Sequence, residues 1–177
     1  EVLKQKYDVS SVQLNIPLPI RTDIIEIAKS VPVEKLSEDG AELEPHITLR
    51  YGLLGSNESA IEALQGTGAI QCHIDKLSAF KNSIYDVIIL LASGPGLHKA
   101  YEILGQKCEF QPAAYPTYVP HITLAYVKPG LADEVLSMLD VSKVVGKTFT
   151  IKTALISDVY NFKFPIQLTH PSIQNNS

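Results

Sequence analysis

The chain has 177 residues, 45% hydrophobic and 19% charged, with a formal net charge of −4. This is ordinary globular composition with enough apolar side chains for a core. No run approaches the ~18 apolar residues of a membrane helix, and the acidic balance argues against a long nucleic-acid duplex as partner.

Cys72 and Cys108 are the only cysteines, and they lack the spacing of a disulfide framework or a zinc knuckle. They read as buried thiols in a reducing, cytoplasmic compartment. No secretory leader is read at the start of the chain.

In chain order, residues 12–16 (Val-Gln-Leu-Asn-Ile) alternate and predict a strand. Ile24, Ile25 and Ala28 recur at helical spacing behind Thr22, which reads as an N-cap. A polar loop over 34–44 leads to Pro45-His46-Ile47-Thr48-Leu49-Arg50-Tyr51, an apolar run that predicts a second strand. A helix at 56–64 and a strand at 69–80 follow, ending in a turn at Lys81-Asn82. The next elements are a strand at 85–91, a helix at 97–104 and a loop at 106–119. Then comes Pro120-His121-Ile122-Thr123-Leu124-Ala125-Tyr126, again a strand. A helix at 131–139, a strand at 148–157, a last strand at 162–168 and a frayed polar tail at 172–177 complete the chain.

The two seven-residue segments agree at six positions and lie 75 residues apart. Their surroundings repeat as well: Val12 to His46 and Val87 to His121 are both separated by 34 residues. The order strand, helix, motif strand, helix, strand occurs twice, which implies an internal duplication. An α+β fold is expected, with two mainly antiparallel sheets flanking a central cleft and helices outside. No linker separates the halves, so residues 1–177 form one rigid domain, expected to be a monomer, with repeat lobes at about 11–80 and 84–168.

Side chains two apart on a strand share a face. Each motif therefore presents one imidazole and one hydroxyl together: His46 with Thr48, and His121 with Thr123. Two histidines that titrate near neutrality can act as general base and general acid, and two hydroxyls can hold phosphate oxygens. On a regular strand Arg50 joins this face, making it a candidate phosphate clamp, while Tyr51 and Tyr126 point to the core. Zinc is a poorer fit, because no third or fourth ligand accompanies either histidine. No G-x-S-x-G elbow suggests a nucleophile triad.

The paired H-x-T segments resemble those of the 2H phosphoesterase superfamily (LigT-like, 2′-5′ RNA ligase-like proteins), and the resemblance spans residues 11–168. It implies a duplicated bilobal α+β fold, catalytic roles for His46, Thr48, His121 and Thr123, and phosphodiester cleavage without a metal or cofactor. Family substrates include RNA 2′,3′-cyclic phosphates, 2′,5′-oligoadenylates, ADP-ribose cyclic phosphate and cyclic oligonucleotide immune signals. The compact chain is similar to viral and phage members, including anti-CBASS nucleases, which would place it in a host cytoplasm.

The motif does not select among these substrates. Tyr115 and Tyr118, in the loop before the second motif, are candidates to stack on a base. The matching loop of the first half carries Glu34, Glu38, Asp39, Glu42 and Glu44. It would repel a polyanion and favours a small nucleotide or cyclic oligonucleotide. A different class, a module that binds a nucleotide without cleaving it, is disfavoured by two complete H-x-T pairs. His73, His98, His170 and the two cysteines have no partner pattern and read as structural.

Overall fold

The computed structural model describes residues 8–168; His170 and the expected tail fall outside them. The first half runs β1 (Ser11–Asn15), α1 (Ile20–Lys29), a 3-10 turn (Val33–Lys35), β2 (Leu36–Ala41), β3 (His46–Tyr51), α2 (Asn57–Gln65) and β4 (Ile70–Lys81). The second half runs β5 (Asp86–Ser93), α3 (Pro95–Lys107), β6 (His121–Val127), α4 (Ala132–Met138), β7 (Thr148–Ile151), β8 (Thr153–Ser157) and β9 (Lys163–Gln167).

Apolar spacing accounts for the helices. Ile20, Ile24, Ile27 and Ala28 form the buried stripe of α1, Ala60, Ala63 and Leu64 that of α2, and Leu97, Ala100 and Leu104 that of α3. Ser56 caps α2 by accepting the Ser59 amide at 3.4 Å. The start of α3 needs Gly94, because a Cβ there would strike the Gln71 carbonyl oxygen. Asp86, 2% exposed, accepts the amides of Gly130 and Ala132 at 3.0 and 3.1 Å and so ties the entry of α4 to β5.

Three local expectations are corrected. The predicted polar loop contains β2, an edge strand with exposed polar side chains that is held by backbone pairing to β6. Helix α1 starts at Ile20 with Pro19 at its N-cap, so Thr22 is inside the helix and caps nothing. The single strand expected at 148–157 is divided at Lys152 into β7 and β8, which join different partners.

The strands run β7-β4-β5-β6-β3-β1-β8-β9, with β2 on β6. Each half of the chain gives a strand from its C-terminal part to the other. The motif strand β3 pairs with β1, which pairs with β8 from the second half. The motif strand β6 pairs with β5, which pairs with β4 from the first half. The two expected sheets meet through a single pair, Ile47 opposite Ile122.

The helices cover one face of this sheet. Their apolar stripes share a buried cluster with Val12, Leu14, Ile47, Leu49, Ile88, Leu90, Ile122 and Leu124. The opposite face carries the histidines. No described helix is long and apolar enough to cross a membrane.

Candidate active site

The register around Ile47 and Ile122 builds the site. Both isoleucines are fully buried towards the helices, so their neighbours at 46, 48, 121 and 123 face the other way. Antiparallel pairing about that point sets His46 across from Thr123 and Thr48 across from His121. The four residues expected to share a cleft therefore do share one face, two from each half.

The alternation then breaks, at the same place in both copies. Val12 pairs with Arg50 but Gln13 pairs with Thr48, so Leu49 is an extra residue. Ile88 pairs with Ala125 but Ile89 pairs with Thr123, so Leu124 is the extra residue there. Such a bulge turns every later side chain over. Leu49 and Leu124 remain buried, and the residues after them exchange faces.

Arg50 is consequently not a phosphate clamp. Its Nε donates to the Tyr101 carbonyl at 2.9 Å, and its guanidinium lies over the Tyr101 ring, 3.7 Å from the centroid. It locks β3 to α3. Tyr51, expected in the core, stands on the cleft face instead, 64% exposed, with its hydroxyl 3.5 Å from Thr48 Oγ1. Tyr126 is its counterpart. It packs edge-on to Tyr85 at 5.3 Å, and burial pushes its phenol up to about 12, with Tyr51 and Glu42 adding to the shift.

The aromatic loop residues also move out of their expected role. Tyr118 is stacked on Tyr101 at 4.3 Å and donates to the Thr48 carbonyl at 2.8 Å. It braces β3, with one face of its ring taken up by Tyr101. Tyr115 is 78% exposed on the loop and makes no ring contact among the described residues.

Each imidazole is oriented by the carbonyl two residues before it. His46 Nδ1 lies 2.8 Å from the Glu44 oxygen, and His121 Nδ1 lies 2.8 Å from the Val119 oxygen. A carbonyl only accepts, so Nδ1 carries the proton and Nε2 is the nitrogen left to exchange one. Burial lowers both imidazoles below their ordinary value. For His46, the backbone bond opposes the shift, while Lys163 and His121 reinforce it.

The surroundings differ between the halves. Beside His46 lie Glu42, whose carboxylate is 3.6 Å from Nδ1, and Gln13 and Asn15 on the paired strand β1, and the charge of Lys163 on β9 also reaches it. Beside His121 lies Phe80, edge-on at 5.0 Å, with Ile89 and Leu91 on the paired strand. One side of the cleft is polar and the other apolar.

Gln13, Asn15 and Phe80 were missed in the sequence. Only the alternation of β1 carried a signal for the first two, since Gln13 and Asn15 interrupt Val12, Leu14 and Ile16. Among the described residues, no group of three or more His, Cys, Asp or Glu converges as a metal site would require.

A model of the 2′-5′ RNA ligase superfamily matches residues 17–155. Curated protein sequences give no significant match.

Among solved structures, the chain is similar to TT0787 of Thermus thermophilus, with TM-score 0.63 and 14% identity over 92% of this chain and 98% of that one. It is similar to Usb1 of Kluyveromyces marxianus, with TM-score 0.58 and 11% identity over 92% and 99%. It is also similar to E. coli LigT complexed with 3′-AMP, with TM-score 0.52 and 18% identity over 94% and 96%. At these identities the likeness is one of fold. With the family model spanning most of the chain, this protein belongs to the 2′-5′ RNA ligase superfamily, a branch of the 2H phosphoesterases.

Proposed function

We propose that the chain is a phosphodiesterase that cleaves a small nucleotide phosphodiester by general acid–base catalysis without a metal, preferring a cyclic nucleotide or cyclic oligonucleotide. The observation that carries this reading is the pair of imidazoles on one cleft face, each with Nδ1 tied to a carbonyl and Nε2 left over. One Nε2 takes the proton of the attacking 2′-hydroxyl or water. The other gives its proton to the leaving oxygen. The Thr48 and Thr123 hydroxyls hold the nonbridging oxygens as charge develops.

Glu42 and Glu44 beside His46 support a short substrate, because they oppose a long polyanion. An RNA end bearing a 2′,3′-cyclic phosphate is the second reading, favoured by the RNA ligase family match. Chromatography of products separates the two. Wild type and His46→Ala/His121→Ala are incubated in EDTA with cyclic di- and trinucleotides, 2′,5′-oligoadenylate and an RNA 2′,3′-cyclic phosphate. Cleavage of a cyclic oligonucleotide by wild type alone supports the first reading. Cleavage of the RNA end alone selects the second. Binding without turnover of any member means a sequestering module, and activity lost in EDTA but restored by metal overturns the acid–base mechanism.

A further inference from the structure

Beyond the histidines, β1 separates the motif strand from a cavity of about 290 Å³. Its lining includes Arg21 from α1, Gln13 and Asn15 from β1, Glu44 and Pro45 before β3, and Lys163 from β9. The position is set by the sheet. Asn15 pairs with His46, so the cavity begins one or two strand spacings from the imidazole, roughly 5–10 Å away. That is the reach of a single nucleotide linkage.

The chain has two arginines. Arg50 is committed to Tyr101. The Arg21 guanidinium has no hydrogen bond or salt bridge among the described residues. Lys163 is held by Ser157 Oγ at 3.0 Å and Asn161 Oδ1 at 2.9 Å, both neutral partners, and makes no ion pair among the described residues, although Glu42 feels its charge.

Against these two cations stands the one lining carboxylate, Glu44. The balance is a single positive charge, matched to the single negative charge of a phosphodiester. A guanidinium fork suits phosphate oxygens, and the Gln13 and Asn15 amides add neutral donors. The volume lies near the lower limit of small-ligand pockets. It suits a phosphate with part of its sugar and excludes a further nucleotide.

We propose that this cavity is a second phosphate subsite, holding the phosphate one nucleotide away from the bond cut between His46 and His121. The inference rests on the phosphodiesterase reading and sharpens it. The preferred substrate carries at least two phosphates, as a dinucleotide or a cyclic oligonucleotide does and a nucleoside cyclic monophosphate does not.

The test uses ligands that are not diesters, so that binding is read apart from turnover. Calorimetry compares adenosine 3′,5′-bisphosphate with adenosine 3′-monophosphate and 5′-monophosphate. The bisphosphate is expected to bind about tenfold more tightly than either, a gain of one charge-assisted contact. Arg21→Gln should abolish the gain while leaving the monophosphates unchanged, Arg21→Lys should restore part of it, and Lys163→Gln should reduce it. Equal affinity of wild type for all three ligands would overturn the subsite. So would a uniform weakening by Arg21→Gln, which would place Arg21 at the histidine pair, or no binding of any ligand. A bisphosphate gain in a protein that cleaves no diester would sink the phosphodiesterase reading and leave the subsite standing.

Discussion

Ile47 lies directly opposite Ile122 in the one pair that joins β3 to β6. The two occupy the same place in the two motif copies, 75 positions apart, so the local two-fold relation of the fold passes between them. Each half contributes one imidazole to a shared face. His46→Ala and His121→Ala should therefore each lower kcat by roughly 10²–10⁴. The double variant should fall little further than the worse single one, because base and acid act as a unit. Steady-state kinetics on a substrate found active, with melting temperatures near wild type, checks this. A single variant with near-normal turnover would remove that histidine from the mechanism.

The paired bulges separate Arg50 from Tyr51 in function. Arg50→Ala should cost about 1.5–3 kcal/mol of stability, the range for a hydrogen bond with a charged partner, and should change kcat little. Tyr51→Phe should leave the denaturation midpoint in place. It should weaken substrate use by about 0.5–1.5 kcal/mol, one hydrogen bond near Thr48. Urea denaturation and kcat/KM on both variants decide the matter. A stable Arg50→Ala protein with a large rise in KM would return Arg50 to the cleft.

Much of this was legible in the sequence, and the gaps have physical causes. The histidines and threonines were readable because a strand's period of two places i and i+2 together without knowledge of its partners. Arg50, Tyr51 and Tyr126 were misread because a bulge is a property of pairing, visible only in the register of β1 against β3 and β5 against β6. The second copy is also one residue shorter between its first strand and its motif, so that Ile88, not Val87, is the structural counterpart of Val12. Strand β2 was hidden because Leu36 and Ala41 bracket a polar stretch whose order comes from backbone bonds to β6. Of the two exchanged strands, β4 joins β5 by a local hairpin, with Lys81 opposite Asp86, whereas β8 reaches β1 across most of the chain, with Ser157 opposite Ser11, and that pairing leaves no local trace.

Both imidazoles are held below their ordinary value of 6.5. The rate requires one neutral and one protonated histidine, so both limbs of the kcat/KM profile shift to the acid side and its optimum should lie below pH ~6.5. Stability follows the same sign. The unfolded chain takes up protons first as the pH falls, so the folded state loses stability on acidification from about pH 6.5 down through the lowered folded values. A kcat/KM profile recorded with urea midpoints over that range checks both. An optimum well above neutrality would show that another group carries the proton.

The two histidines are lowered by different neighbours, and this can be read one at a time. Phe80 meets the His121 ring edge-on at 5.0 Å and helps exclude water from it. Phe80→Ala admits water, which favours the charged imidazolium, so His121 should rise towards 6.5, while His46, which feels His121 only as a like charge, should not rise with it. Lys163 acts on His46 through its charge, as well as on Glu42, whose carboxyl it holds down against burial and Glu44. Lys163→Gln removes a like charge from His46 and an opposite one from Glu42, so both should rise while His121 is unmoved. NMR titration of the imidazole Cε1 protons in the two variants measures these shifts separately. If Phe80→Ala moved both rings equally, the cleft would titrate as one solvent-coupled unit, and the contrast between its polar and apolar sides would not divide the labour of the histidines.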